Sequence, residues 1–294
     1  MTSPQFGLVA CRFAFDSAAL FLWGAALFLA TLVPEVLRAQ LWRALSPWRQ
    51  LSLWAITIAT TLSLPLHSAI IADGWSDALN LSLLIRVACQ TSIGLAWWCQ
   101  MAGCVILLQM RRRPQVLALH TTTLLGAWLL ASLTISGHTA AGEGWRGSGQ
   151  QINMIIHLFT VGAWLGALPV VWQLQRQLHH PQQAAATQKG LMRFSAAGHV
   201  VVVMVMISGL INVHSITGSF LPDWNTPYRC WLWLKIAVVM AMMLLAIVNR
   251  YCFVPRMRSS QWAGSRFNQG LKLEIALSLI TVLLVAGFGM LDPN

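Results

Sequence analysis

Eight apolar runs constrain this chain more than any other feature. They cover roughly 12–36, 50–72, 81–109, 115–136, 151–173, 192–216, 229–253 and 271–291. About twenty apolar residues in a helix cross the ~30 Å hydrocarbon core of a bilayer. In lipid, helices and closed barrels alone satisfy every backbone polar group. Composition agrees, with 57% of residues apolar and 9% charged, against about 25% charged in an ordinary globular protein. The sequence therefore predicts an all-α membrane protein, a polytopic bundle of about eight transmembrane helices. No connection is long enough for a soluble domain, so 1–294 reads as one integral-membrane domain. Helices 1–4 fall in 1–136 and helices 5–8 in 137–294. No cleavable signal peptide is expected, since the first apolar run is long and no basic stretch precedes it.

Charge alternates from one connection to the next. Arg38, Arg43 and Arg49 lie in 37–49, and Arg111, Arg112 and Arg113 in 110–114. The stretches 174–193 and 250–272 are basic as well, through Arg176, Lys189 and Arg193, then through Arg250, Arg256 and Lys272 among others. The intervening connections near 73–80, 137–150 and 217–228 hold Arg146 against Asp73, Asp77, Glu143 and Asp223. The positive-inside rule puts the basic set in the cytoplasm and both termini in the periplasm. The excess of 19 Lys and Arg over 8 Asp and Glu is thus a topology signal that implies contact with anionic lipid, and nucleic acid is not expected. The six cysteines form no CxxC pair and read as small apolar residues. Several of the fifteen tryptophans, Trp48, Trp75 and Trp145 among them, flank apolar runs, where indoles anchor at headgroup level.

With this topology, ionisable residues gather near the outer face. His138 follows the fourth run, and His157 lies about two turns into the fifth, with Met154 one turn earlier on the same face. A glycine-rich loop separates the two histidines, so both imidazoles are expected just beneath it. His67 and His214 lie near the outer ends of the second and sixth runs, and Asp16, Arg86 and Lys235 at similar depth. Intramembrane ionisable residues are costly and by default face the bundle interior. Each also has a plainer reading. His67 could serve a carbonyl freed by Pro65, His214 could be interfacial, and Met154 could fill a gap. Asp16 with Arg86 or Lys235, and Glu274 with Arg250, could be structural pairs. His199 lies deeper, as either a core histidine bonded to a neighbouring helix or a second station. Gly162 and Gly166 predict a close approach of the fifth helix to a neighbour. Imidazole with thioether suits Cu(I) or haem iron. No phosphate-binding glycine loop, HExxH or GxSxG occurs, so an ion carrier, a membrane redox protein or a scaffold remains.

Several segments together resemble the copper resistance D proteins, inner-membrane partners of periplasmic copper-binding proteins. They are SGH at 136–138, IHLFTVGAWLGALP at 156–169, RFSAAGH at 193–199, SGLIN at 208–212, LWLKI at 232–236, NRYCFVPRMR at 249–258, and Lys272 with Glu274. The resemblance covers the second half closely and the first half by topology and length. It implies a multi-pass protein of the bacterial inner membrane in copper uptake or resistance, and copper binding at His138 and His157; His199 also matches the family pattern and joins the candidate ligands. His67 and His214 are added from depth, and Met154 from its place one turn before His157. Members often carry a histidine shortly after an Arg-Phe pair in the first helix. Here Arg12 and Phe13 lead to Asp16, so either Asp16 substitutes or one ligand is lost. The expected function is copper transport or handling by histidines near the periplasmic face, with Cu(I) as the bound metal and a periplasmic copper-binding protein as partner. A metal-handling protein is expected rather than an enzyme. The alternative is a b-type haem redox protein with two histidine ligands, a membrane oxidoreductase acting on periplasmic copper or a partner. A membrane anchor for a periplasmic metallochaperone is a third reading.

Overall fold

The computed structural model of the protein describes residues 2–136, 144–218, 224–256 and 261–291. Among the described residues every regular element is helical. In order these are α1 (Ser3–Thr31), α2 (Glu35–Ala44), α3 (Ser46–Ile71), α4 (Leu81–Gln90), α5 (Ser92–Met110), α6 (Gln115–Ser132), α7 (Gly144–Leu165), α8 (Leu168–Gln175), α9 (Ala184–Thr217), α10 (Pro227–Val248) and α11 (Gln261–Phe288). Seven helical stretches are long and apolar enough to cross a membrane: Ser3–Thr31, Ser46–Ile71, Ser92–Met110, Gly147–Leu178, Ala184–Thr217, Pro227–Arg256 and Trp262–Phe288. The remaining expected span is α6, an 18-residue helix made less apolar by His120 and Thr121–Thr123. It packs against α1 and α5. The expected count of about eight therefore stands.

The helices depart from the apolar runs where capping residues and proline intervene. α1 starts at Ser3, ahead of the apolar run, because Pro4 suits a first helical turn and the Thr2 amide donates to Gln5 Oε1 at 2.7 Å. It stops before Pro34, which cannot continue it. The stretch 37–49, expected as a connection, is mostly α2. Leu37 and Leu41, four residues apart, bury one face of it. The third run breaks at Thr91, whose hydroxyl accepts from the Gly94 amide at 3.1 Å and starts α5. After α10 comes a π-helical turn, Asn249–Phe253, just ahead of Pro255.

α1 is the hub, packing against α3, α6, α7 and α11. Lipid tails are as apolar as leucine, so close backbone approach and packing hold such a bundle together. Ala18, Ala19, Gly24, Ala25 and Ala26 give α1 a narrow, buried surface. The expected close approach at Gly162 and Gly166 is made to α1. A methyl group on Gly24 would overlap the Gly162 carbonyl oxygen and lie 2.8 Å from Gly166 Cα. The Trp23 indole N–H donates to the Phe159 carbonyl at 3.0 Å, and the two rings lie 5.0 Å apart. α9 and α10 are peripheral, with 11% of their apolar windows buried against 56% for α1. Side chains such as Val200, Ile207 and Leu244 stay exposed. In water such a surface would drive aggregation, whereas in a bilayer it meets acyl chains.

Candidate metal centre

Two polar stripes meet between α7 and α9. Asn153 and His157 lie four residues apart on α7, and Ser208 and Asn212 four apart on α9. This spacing puts each pair on one helical face. Asn153 Nδ2 donates to the Asn212 side-chain oxygen at 2.8 Å and to the Ser208 carbonyl at 3.0 Å. Asn212 Nδ2 in turn donates to Met154 Sδ at 3.8 Å.

His157 Nδ1 lies 2.9 Å from Ser208 Oγ. The Ser208 hydroxyl proton goes to the Met204 carbonyl at 2.6 Å, so its oxygen is left to accept. Nδ1 therefore carries the ring proton, and the Nε2 lone pair is available. A metal-ligating imidazole is usually oriented this way, with one nitrogen held by a neighbour and the other open to the metal. Gly209 lies beside the ring, where a Cβ would stand 3.5 Å from Cε1, in ordinary van der Waals contact. Lys235 of α10 is within electrostatic range of His157, and its ammonium lies 5.9 Å from the Phe288 ring.

A second group of polar residues gathers between α1, α3 and the end of α11. Arg12 Nη1 donates to the Gly289 carbonyl at 2.9 Å and to Met290 Sδ at 3.5 Å. The same guanidinium acts electrostatically on Asp16 and His67. Among the described residues Asp16 Oδ1, which is buried, has no hydrogen-bond partner. His67 Nδ1 lies 2.7 Å from the Ser63 carbonyl. A carbonyl only accepts, so Nδ1 is the protonated nitrogen here as well. The carbonyl deprived of a donor by Pro65 is that of Thr61, four residues back, so His67 does not serve it. The two polar groups are linked through consecutive residues of one segment: the Phe288 ring lies 5.9 Å from the Lys235 ammonium, and Gly289 and Met290 accept from Arg12.

The other sequence-predicted residues are placed differently. His138 lies outside the described residues. His214 is exposed in the last turn of α9. His199 is exposed too, and its Nε2 lies 3.0 Å from the Tyr251 hydroxyl on a neighbouring element. Arg86 is on an exposed face of α4, and the cation acting on Asp16 is Arg12, one helical turn away. Glu274 bonds to Asn249, whose Nδ2 donates at 2.5 Å, rather than to Arg250, which donates to the Ser195 carbonyl. Cys104 is buried but Cys89 and Cys252 are exposed. Among the described residues no three His, Cys, Asp or Glu side chains converge. Sequence reading passed over Ser208 and Asn153, although the matched i, i+4 polar pairs of α7 and α9 would have found them. Arg12 and Met290 gave no such local signal.

The Asn249–Glu274 pair is buried and depends on Gly270, because a Cβ there would collide with the Asn249 amide. Asn249→Ala removes the donor and leaves Glu274 without it. The expected loss is about 1–3 kcal/mol, read as a lower Tm of the purified protein in detergent. An unchanged Tm would show that the pair contributes nothing to stability.

A bundle of apolar helices with a buried polar layer toward one end defines a polytopic α-helical membrane protein. Residues 1–148 match the family model for the copper resistance protein D-like N-terminal domain, and residues 188–288 that for copper resistance protein D. The chain belongs to the copper resistance protein D family. It is 33% identical to inner membrane protein YebZ of Escherichia coli (strain K12), over 98% of this chain and 99% of that protein. It is 28% identical to copper resistance protein D of Pseudomonas syringae pv. tomato, over 76% of this chain and 75% of that one. No solved structure matches it significantly. The family match extends over the first half, which the sequence motifs reached only through topology and length. With its long apolar helices, the chain is a multi-pass inner-membrane protein of a copper-handling family.

Proposed function

We propose that this protein takes Cu(I) from the periplasmic side of the inner membrane at a site built on His157, for uptake or resistance. The observation that carries this reading is the hydrogen-bond chain from His157 Nδ1 through Ser208 Oγ to the Met204 carbonyl, which leaves Nε2 as a donor for a soft cation. Met154, one turn before His157, supplies a thioether on the same helix. His67 offers a second imidazole with a free Nε2 in the adjoining polar group, and His138 is the further ligand implied by the family motifs. A few imidazole and thioether ligands suit Cu(I) and release it more readily than a closed cage would. His199 and His214, on exposed faces, are assigned to later or peripheral contacts. A periplasmic copper-binding protein is the proposed donor or acceptor of the ion.

Lys235 favours a second reading. An ammonium close to His157 repels a bare cation and attracts an anion, as a haem propionate beside a ligating histidine would require. The absorption spectrum and metal content of one detergent-purified sample separate the two. A colourless protein that binds Cu(I) in proportion to protein supports the copper site. A Soret band near ~410 nm with stoichiometric iron supports haem. Cu(I) affinity is also expected to fall as pH is lowered, because a coordinating imidazole nitrogen must be unprotonated. A competition titration with a Cu(I) chelator across pH measures this, and a flat profile would argue against imidazole ligation.

A further inference from the structure

A cavity of about 610 Å³ opens between the start of α3, the end of α5 and α6. It lies at the end of the bundle that the basic connections assign to the cytoplasm, far along α1 and α3 from the histidine layer. Its rim is cationic through Arg49, Arg111 and Arg112, and its floor is apolar through Leu22, Leu53 and Leu107. Among the described residues no acidic side chain lines it.

Arg49 is fixed in place. Its guanidinium lies 3.5 Å from the Trp42 ring centroid, and Nη2 donates to the Trp42 carbonyl at 3.1 Å. Its Nε is enclosed, closed off from the cavity, and has no hydrogen-bond partner among the described residues. Three guanidinium groups lining one cavity call for an anionic oxygen. Ser46 and Gln50, in the opening turns of α3, line the same wall, where the helix dipole adds to the attraction.

We propose that this cavity binds a phosphate group, and that the phosphate is the headgroup of an anionic phospholipid from the cytoplasmic leaflet. The phosphate accepts from Arg49, with Arg111 and Arg112 closing over it, and an acyl chain lies against the leucine floor. The floor is what favours lipid over free phosphate, since a soluble ion gains nothing from apolar walls. Basic pockets between transmembrane helices on this side are suited to such headgroups. The proposal does not depend on the copper reading.

The test is native mass spectrometry of the full chain in mild detergent, with phosphatidylglycerol or phosphatidylcholine added. A thermal-shift titration with inorganic phosphate runs alongside it. Wild type is expected to retain phosphatidylglycerol roughly tenfold better, as several arginines on one headgroup would give. Arg49→Gln should remove the preference. Arg111→Gln with Arg112→Gln should do so too while leaving the Arg49–Trp42 contact intact, which covers the case in which Arg49→Gln does not fold. Arg43→Gln with Arg256→Gln, outside the cavity, should keep it. No preference in wild type, or equal loss in the cavity and control variants, overturns the site. Stabilisation by inorganic phosphate that is lost in the cavity variants, without lipid preference, keeps the anion site and overturns its lipid source.

Discussion

Replacing His157 with alanine is expected to lower Cu(I) affinity by at least about 100-fold and to abolish copper-dependent phenotypes. The protein should still insert and run as wild type on size exclusion. The variant removes Nε2 while the neighbouring bonds of Asn153 to α9 remain. Ser208→Ala tests the orientation separately. It keeps the imidazole but removes the oxygen that accepts from Nδ1, and losing such an outer partner typically costs 10–100-fold in metal affinity. A graded series, with His157→Ala worse than Ser208→Ala, is the expected pattern. Wild-type copper binding and phenotype in His157→Ala would remove this histidine from the site. An effect of Ser208→Ala as large as that of His157→Ala would instead point to a structural role for the α7–α9 stripe.

The second large effect is on the bundle. Gly24→Leu is expected to prevent accumulation of folded protein. At that position even a methyl group overlaps the Gly162 carbonyl, and Gly166 Cα is 2.8 Å away. Backbone on both sides leaves nothing that can move aside. Overpacking a close-packed site typically costs 1–3 kcal/mol or more, and here α1 would be pushed off α7, away from Trp23 and Phe159. Gly149 on α7 has nothing within 4 Å of an added Cβ among the described residues, so Gly149→Ala should fold normally. Monodisperse yield from fluorescence-detected size exclusion measures both. Normal yield of Gly24→Leu would mean that the α1–α7 contact is not what holds the two halves together.

The apolar runs by themselves determined the class and the approximate number of spans, and the short motifs of the second half pointed to the family. Their length and the near absence of charge can be read residue by residue along the chain. The close approach at Gly162 and Gly166 and the polar character of the outer layer were equally legible, as local spacings or depths. Which residues meet is another matter. These helices are apolar on nearly all sides, so periodicity does not mark a buried face as it does in water. His157 with Ser208 joins positions 51 residues apart, and Arg12 with Gly289 positions 277 apart. Depth alone made Arg86 and Lys235 candidate partners for Asp16, yet Arg12, on the same helix, supplies the charge. Depth likewise gave no sign that His199 points outward to Tyr251 rather than inward. Tertiary structure decided these pairings because depth fixes one coordinate of a side chain. Its direction around the helix axis depends on how close each neighbour's backbone can come, and in this bundle small residues such as Gly24 set that distance.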